Sequence, residues 1–314
     1  MSRIKFGIYF DYYMDFPKLK SHVLSAEALG YHSVWMMDHL IWKGPRLPFN
    51  EKGLVLESWS TLSALATLTE KIRLGTLVLC NSYRNPALLA KMGSTLDNIS
   101  NGRLELGMGA GWHKEEYVAY GFPFLEAKER IMQLREAIVI IKKMWTEKMP
   151  SFQGKYYNIK RAICEPKPLQ KPHPPLWIGG AGEKFTLKVV AELADGYNVG
   201  ASPQDFARKM RVLEKHCKRV NRDFNAMQKS WVGEVIIDED DSALARKIEA
   251  LKPRQTSLEE YLKPRIVGSP EECLEKVSKY VREGATLFIL LFRKYRKDKR
   301  IFMQKVVPKV GSVR

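Results

Sequence analysis

The chain alternates short apolar segments with longer segments that have the apolar spacing of helices. Eight apolar segments are predicted to be strands, at residues 4–10, 33–37, 72–79, 103–108, 175–180, 196–200, 230–237 and 286–292. Each of the first seven is followed by a helical pattern, for example at 86–99. Several strands are apolar at consecutive positions, which is typical of strands buried on both faces. The pattern therefore predicts repeated β–α units.

This repeat predicts an α/β fold, namely a (β/α)8 TIM barrel with loop and hairpin insertions. The number of units favours the barrel over an open doubly wound sheet, although the count alone does not exclude the sheet. The insertions are a long loop at residues 40–56 and a small hairpin excursion at residues 151–168. No linker or shift in composition divides the chain, so residues 1–314 are expected to form one barrel domain.

Composition is typical of a globular protein. Hydrophobic residues make up 45% of the chain, and no apolar run is long enough to cross a bilayer. The N-terminal RIKFGIYF has the alternation of a strand rather than the pattern of a secretion signal. Cys80, Cys164, Cys217 and Cys273 are scattered without a Cys-x-x-Cys pair, so neither a disulfide framework nor a metal site is predicted. We therefore expect a cytoplasmic protein.

The net charge of +17 raises the question of an acidic partner. Nearly half of it comes from the basic C-terminal segment, residues 293–314, which holds nine basic residues and one acidic residue. A solvated terminal helix is favoured over a nucleic-acid site, because no nucleic-acid motif or interleaved aromatic platform accompanies the charge. We expect a small-molecule substrate, and neither a specific nucleic acid nor a membrane as partner.

Asp38 and His39 follow the second predicted strand. In a barrel, the chemistry lies at the carboxyl ends of the strands and in the loops after them. Here a carboxylate would lie beside an imidazole that titrates near neutral pH, which suits acid–base work. The alternative is that Asp38 caps a turn and that His39 is an incidental loop residue.

The segment GMGAGWHKEEY follows the fourth strand, with three glycines spaced by two residues at 107–111. This spacing differs from the G-x-G-x-x-G of dinucleotide-binding folds. The glycines would leave room for a flat ligand against the backbone, and Trp112 would form a wall. Glu115 or Glu116 would act as acid, base or hydrogen-bond acceptor. The alternative is that Trp112 and Tyr117 pack in the core and that the glutamates are solvated.

Gly179, Gly180 and Gly182 follow the fifth strand and directly precede a predicted helix. A glycine turn at the start of a helix offers backbone N–H groups and the positive end of the helix dipole, which suit a phosphate group. A tight turn without a ligand is the alternative.

Five segments together resemble the luciferase-like monooxygenase superfamily: SVWMMDHL, LGTLVLCNSYRNPALLAK, NGRLELGMGAGWHKEEYVAYGFPF, PPLWIGGAGEKFTLKVVAELADGYN and VGSPEECLEKV. They follow the family's order across nearly the whole chain. GAGWHKEEY and IGGAGEKFTLK are similar to the branch that uses the deazaflavin coenzyme F420. The resemblance implies a (β/α)8 barrel with an insertion, and coenzyme F420 as the cofactor, with FMN as the alternative.

The residues and the resemblance together define the expected site. The catalytic candidates are His39, Glu115 and Glu116. The expected coenzyme contacts are Asp38, His39, Leu77, Val78, Cys80, Gly109, Ala110, Gly111, Trp112, Gly179, Gly180, Gly182 and Glu183. The resemblance implies a cis peptide between Leu77 and Val78 behind the deazaflavin ring. The sugar-phosphate dehydrogenases of the family have a catalytic glutamate where this chain has Trp112, so their acid–base scheme is not expected here.

Three functions are compatible with these features. The first is an F420-dependent oxidoreductase that transfers a hydride between the deazaflavin ring and a small organic substrate. The second is an FMN-dependent luciferase-like monooxygenase. The third is a non-catalytic barrel that binds an acidic partner, and the strand-end glycines argue against it. A homodimer is a further expectation, and Trp42, Arg46 and Phe49 of the long loop are expected to shape the substrate pocket.

Overall fold

Eight parallel strands form a closed barrel in the computed structural model, which describes residues 4–10, 14–41, 55–293 and 296–312. The strands of the structure are β1 (Lys5–Tyr9), β2 (Ser33–Met36), β3 (Arg73–Thr76), β4 (Leu79–Cys80), β5 (Leu104–Gly109), β6 (Phe152–Gln153), β7 (Asn158–Ile159), β8 (Leu176–Gly179), β9 (Gly196–Val199), β10 (Gln228–Ile237), β11 (Ile266–Gly268) and β12 (Leu287–Leu291). Around the barrel, β1, β2, β3, β5, β8, β9, β10 and β12 pair in that order, and β12 pairs with β1.

Helices follow the barrel strands and cover the outside of the barrel. They are α1 (Phe16–Ala28), α2 (Ser58–Leu68), α3 (Pro86–Ile99), α4 (Lys114–Ala119), α5 (Ala127–Thr146), α6 (Thr186–Leu193), α7 (Pro203–Arg219), α8 (Asp241–Leu251), α9 (Leu258–Leu262), α10 (Pro270–Arg282) and α11 (Arg296–Ile301). Within the described residues, none of these helices combines the length and apolarity needed to cross a lipid bilayer.

The predicted (β/α)8 TIM barrel is confirmed, because all eight predicted strands occur and close the barrel. One of them differs in detail: the predicted strand 72–79 is divided into β3 and β4. The predicted hairpin excursion is also confirmed, since β6 and β7 form an antiparallel pair. The loop residues Trp42, Arg46 and Phe49 lie outside the described residues.

Four of the helices begin at a polar cap followed by proline in the first turn. The caps are Asp15, Asn85, Ser202 and Ser269, and each side chain accepts a backbone N–H of the first turn. Such a cap satisfies an N–H group that the helix leaves unpaired, and proline fits the first turn because it lacks this N–H group. These signals start the helices soon after the strands and keep several of the loops short.

Tryptophans fill the barrel interior. Trp35 of β2 and Trp177 of β8 meet edge to face with ring centroids 5.7 Å apart, and two aliphatic residues of β12 pack with them. A Cβ atom at Gly75 would overlap the Trp35 ring, and one at Gly196 would overlap the Trp177 ring. Glycine on the neighbouring strand is therefore what allows each indole to lie inside the barrel.

The basic C-terminal segment packs against the barrel instead of forming a solvated helix. Phe302 and Val306, which follow α11, are fully buried. Basic residues of this segment pair with acidic residues of other elements, in the pairs Lys297–Asp238, Lys305–Glu239 and Lys309–Glu271. The segment is amphipathic, so part of its charge is matched within the chain.

Candidate functional site

A cavity of about 540 Å³ opens at the carboxyl ends of β2, β4, β5 and β8. All but two of the residues predicted for the site line it: Asp38, His39, Leu77, Val78, Cys80, Gly109, Ala110, Gly111, Trp112, Glu116, Gly179, Gly180 and Gly182. The volume lies within the range of small-molecule and cofactor sites. The barrel thus brings together residues that are up to 144 positions apart, from Asp38 to Gly182.

The peptide between Leu77 and Val78 is cis, which confirms the prediction for this bond. The Val78 side chain lies between two strands: a Cβ atom at Gly109 would be 2.7 Å from it, and one at Gly179 would be 2.9 Å from it. Val78 and these glycines form the floor of the cavity. The glycines therefore make room for a side chain of the protein itself.

Asp38 is buried, and both of its carboxylate oxygens are used by the protein. The Ser58 hydroxyl donates to Oδ1 at 2.7 Å, and the Cys80 backbone N–H donates to Oδ2 at 2.9 Å. The Arg84 guanidinium donates to both oxygens, at 2.7 and 2.9 Å. Asp38 therefore ties the end of β2 to α2 and to the loop after β4, which fixes the position of His39 beside it.

Glu116 of α4 connects the loop after β2, which contains His39, to the turn after β4. His39 Nδ1 lies 3.0 Å from both carboxylate oxygens. The backbone N–H groups of Leu40 and Ile41 donate to Oε1 at 2.9 and 3.1 Å. The Tyr83 hydroxyl donates to Oε2 at 3.0 Å. Glu116 is 1% exposed, so this carboxylate is buried and held by donors from two segments of the chain, the loop after β2 and the turn after β4.

These donors keep Glu116 ionised. Burial alone would raise the pKa of Glu116, but the hydrogen bond and charge of His39, together with the Ile41 N–H and the Tyr83 hydroxyl, outweigh burial and lower the pKa below its ordinary value. An ionised carboxylate accepts hydrogen bonds only, so His39 Nδ1 is the donor. Neutral His39 then carries its lone pair on Nε2.

Trp112 and His113 lie beside this pair. The Trp112 ring centroid is 5.7 Å from that of His39 and 5.0 Å from that of His113. Trp112 is 64% exposed, so it forms the rim of the cavity rather than part of the core. His113 Nδ1 is 3.4 Å from Oε2 of Glu116. The turn after β5 thus places an indole and a second imidazole around the His39–Glu116 pair.

The glycine turn at residues 179–182 forms the other end of the cavity. The Tyr197 hydroxyl donates to the carbonyl of Gly180 at 2.8 Å, and Lys209 Nζ donates to the carbonyl of Ala181 at 2.8 Å. Gly180 has a φ of 146°, in the region that favours glycine. The turn leads into α6, whose first residue also lines the cavity.

Arg130 of α5 brings a permanent positive charge to the cavity wall. Its guanidinium carbon lies 4.1 Å from the centroid of the Phe124 ring, and its Nε donates to the carbonyl of Gly111 at 3.3 Å. The side chain is nearly buried, so its position is fixed by stacking and hydrogen bonding. Arg130 and Thr186 line the same cavity as the glycine turn, a combination that suits an anionic group.

Two predicted site residues do not line the cavity. Glu115 is exposed on α4, because the next residue of the helix, Glu116, takes the inward position. Glu183 instead pairs with Arg208 and lies 3.5 Å from Lys209, so it faces α7. Glu115 therefore points away from the cavity because of its position on the helix, and Glu183 points away because it pairs with a cation of α7.

Sequence reasoning missed several lining residues. Tyr83 lies in a short 3-10 turn after β4, and nothing local distinguishes it. His113, which lies between Trp112 and the two glutamates in the sequence, also lines the cavity. Ala127, Arg130 and Ile131 have the i, i+3, i+4 spacing of a single helix face, and this signal could have shown that they line one surface together.

The barrel, with its cavity at the carboxyl ends of the strands, is the architecture of many enzymes. Residues 11–262 match the family described as luciferase-like monooxygenase. The chain therefore belongs to the luciferase-like monooxygenase family, whose members are F420- or flavin-dependent oxidoreductases and monooxygenases.

Proteins similar in sequence include both F420-dependent and FMNH2-dependent enzymes. An F420-dependent glucose-6-phosphate dehydrogenase of Kineococcus radiotolerans is 35% identical over 182 residues, which is 57% of this chain and 51% of that protein. The match thus spans about half the length of this relative. An FMNH2-dependent dimethylsulfone monooxygenase of Pseudomonas putida is 26% identical over 82% of this chain and 79% of that protein. Each of these two relatives is thus named for a deazaflavin or a flavin cofactor.

Solved structures share the fold. The structure of an F420-dependent secondary alcohol dehydrogenase in complex with an F420-acetone adduct superposes with a TM-score of 0.85. The match covers 98% of this chain and 99% of that one at 19% sequence identity. At this identity the likeness concerns the fold, including the closed parallel barrel and its surrounding helices.

Proposed function

We propose that this chain is a coenzyme F420-dependent oxidoreductase that transfers a hydride between the deazaflavin ring and a small organic substrate. The observation that carries the proposal is the composition of one cavity: the cis peptide and its glycine floor, the His39–Glu116 pair, and the glycine turn beside Arg130 all line it. The likeness of GAGWHKEEY and IGGAGEKFTLK to the F420 branch favours the deazaflavin. The F420-dependent relatives named above support the same choice.

The residues fit such a cofactor at both ends of the cavity. The flat floor of Val78, Gly109 and Gly179 would lie against the ring. The turn at residues 179–182, Thr186 and the Arg130 guanidinium would hold the phosphate. When bound, the deazaflavin ring supplies the carbon that accepts or releases the hydride.

His39 would exchange the proton that accompanies hydride transfer. With Nδ1 donating to Glu116, the lone pair of neutral His39 lies on Nε2, which can accept a proton from a substrate group. The buried Glu116 carboxylate would orient the ring and stabilise the imidazolium that forms. Trp112 would cover the reacting groups at the rim. Asp38 acts through position, since its oxygens are occupied by Ser58, Cys80 and Arg84.

An FMN-dependent monooxygenase is the second candidate. The observation that favours it is the dimethylsulfone monooxygenase relative, because that match extends over 79% of the relative's length. The same cavity would hold the FMN ring and phosphate. The single barrel domain, the homodimer and the cytoplasmic location expected from the sequence stay predictions.

The test is a fluorescence titration of the apoprotein with F420 and with FMN, followed by turnover with and without oxygen. We expect F420 to bind at least about tenfold more tightly than FMN, a difference of about 1.4 kcal/mol, and turnover to proceed without oxygen. His39→Ala should lower turnover more than about tenfold. The matched control is His173→Ala, because His173 is similarly buried but lies beside Asp195, outside the cavity.

Tighter binding of FMN with oxygen-dependent turnover would replace this proposal by the monooxygenase. Unchanged kinetics of His39→Ala would remove His39 from the catalytic assignment while leaving the cofactor assignment intact.

A further inference from the structure

Two imidazoles and one carboxylate converge at the rim of the cavity. His39 Nδ1 lies 3.0 Å from the oxygens of Glu116, and His113 Nδ1 lies 3.4 Å from Oε2 of the same carboxylate. One ligand atom of each residue lies within 4.8 Å of those of the other two. All three residues line the cavity, so an ion could reach them through it. The sequence predicts no metal site, because no Cys-x-x-Cys pair occurs; the fold brings His39 from the loop after β2 to His113 and Glu116 at the start of α4.

We propose that His39, His113 and Glu116 form a binding site for a divalent transition-metal ion of the zinc class. Two histidines and a glutamate are a ligand set that zinc uses when a further position stays open for water or another ligand. Zinc bonds of about 2.0–2.1 Å in a tetrahedron place ligand atoms about 3.3–3.4 Å apart. The His39–Glu116 and His113–Glu116 separations of 3.0 and 3.4 Å are near this value. The ligand atoms of the two histidines lie within 4.8 Å of each other, so side-chain rotations that bring the imidazoles closer would complete the geometry.

The carboxylate is fixed before the ion arrives. The backbone N–H groups of Leu40 and Ile41 hold Oε1 of Glu116, and the Tyr83 hydroxyl holds Oε2. Groups that hydrogen-bond to a ligand orient it and raise metal affinity. The side chain of Glu116 is also nearly inaccessible to solvent, so its charge is poorly screened within the cavity.

Metal binding at this site would change the chemistry of His39. An ion on Nδ1 takes the place of the hydrogen bond to Glu116, and the proton of the neutral ring moves to Nε2. Nε2 then carries a proton and can no longer accept one. A zinc-class ion would therefore inhibit any reaction in which His39 acts as a base. The binding site itself does not depend on the proposed function, because the apoprotein carries all three ligands.

The test is calorimetric titration of the apoprotein with Zn²⁺ alone, in a buffer that does not chelate metals. We expect one equivalent to bind, and both His113→Gln and Glu116→Gln to weaken this binding at least about tenfold. His173→Gln is the matched control and should bind as the wild type does, because His173 lies 3.7 Å from Asp195 and, among the described residues, belongs to no group of three potential metal ligands. His113 caps α4 without a side-chain capping bond, so His113→Gln is expected to fold.

Trp112 provides a second readout. Its ring lies 5.0 Å from that of His113, so Ni²⁺ at the site should quench its emission. Trp112→Phe should remove the saturable part of this quenching while Zn²⁺ still binds in the calorimeter. The proposal is overturned if the wild type takes up no Zn²⁺, or if His113→Gln and Glu116→Gln bind it as tightly as the wild type. Failure of this test would leave the F420 proposal standing, since that proposal is tested without metal.

Discussion

Glu116 shows how one buried residue can determine the conformation of several neighbours. Its two oxygens receive donors from the loop after β2, which includes His39, and from the turn after β4. A buried carboxylate without partners would be neutral or strongly destabilising, whereas here the donors offset the cost of burial. Glu116 therefore has two roles. It sets the tautomer of His39, and it joins segments that are distant in the sequence.

Replacing Glu116 by Gln should destabilise the protein at neutral pH by about 1–3 kcal/mol, because the amide brings a donor where two acceptors are needed. The pKa of Glu116 is lowered in the folded state, so its ionisation stabilises the fold fully above the ordinary pKa of a glutamate. This contribution is lost as the pH falls through the lowered pKa. Urea unfolding at about pH 7 and about pH 3.5 should thus show a smaller difference between variant and wild type in acid.

Glu249→Gln is the matched control for this prediction. Glu249 is also a helical glutamate, on α8, but it is exposed, so its replacement should change the free energy of unfolding by less than about 0.5 kcal/mol at either pH. A difference for Glu116→Gln that stays constant from neutral to acid would show that its ionisation does not stabilise the fold.

At the scale of elements, the junction of β3, β4 and β5 builds the floor of the cavity. The Thr76 hydroxyl donates to the carbonyl of Gly107 at 2.7 Å, and its oxygen accepts the Gly107 N–H at 2.8 Å. Beyond Thr76, the cis peptide turns the chain so that β4 pairs with the end of β5. The Thr76 side chain therefore joins β3 to β5 at a point where backbone hydrogen bonds would otherwise do so. Val78, which follows the cis peptide, lines the cavity.

Gly107→Ala should disrupt this junction. A Cβ atom at Gly107 would overlap the backbone oxygen of Thr76, and backbone atoms of two paired strands cannot move apart cheaply. We expect a loss of about 3 kcal/mol or more in the free energy of unfolding, measured with urea. Gly311→Ala is the control, because no atom of the described residues, its chain neighbours apart, lies within 4 Å of the Cβ position there. Equal stability of the two variants would contradict the close contact between the strands.

At the scale of the whole molecule, the barrel and the net charge act together. The closed sheet places the ends of β2, β4, β5 and β8 around one cavity. The net charge of +17 should give the molecule a positive long-range field, although some basic residues of the C-terminal segment are paired with acidic ones. Such a field should attract an anionic ligand, and an extended polyglutamate tail more strongly than a single phosphate.

Salt should therefore weaken the binding of F420 more than that of FMN. F420 carries a polyglutamate tail, whereas FMN ends at its phosphate. Raising the ionic strength from about 0.05 to about 0.5 M shortens the screening length severalfold, and we expect the affinity for F420 to fall severalfold over this range. A smaller change is expected for FMN. Competition titrations at both salt concentrations measure this, and an equal salt dependence would show that the tail does not interact with the basic surface.

The sequence by itself determined the order of the strands and most of the residues around the cavity. Short apolar segments marked all eight barrel strands, and several of them are apolar at consecutive positions because strands buried on both faces have no polar alternation. Asp38 and the glycines at 179 and 180 were found from their position after a strand, since the carboxyl ends of parallel strands meet at one edge. The cis bond after Leu77 came from the family resemblance alone, because the residue types there carry no local signal.

Only the tertiary structure decided how these residues interact. Glu115 and Glu116 are neighbours of the same type, and the direction of each on α4 separates an exposed residue from a buried partner of His39. Glu183 is adjacent to the glycine turn but pairs with Arg208, while Arg130, from a different helix, lines the cavity. The physical reason is that periodicity and turn signals act over a few residues. Hydrogen bonds and ion pairs depend on distances between segments, which are set when the barrel closes.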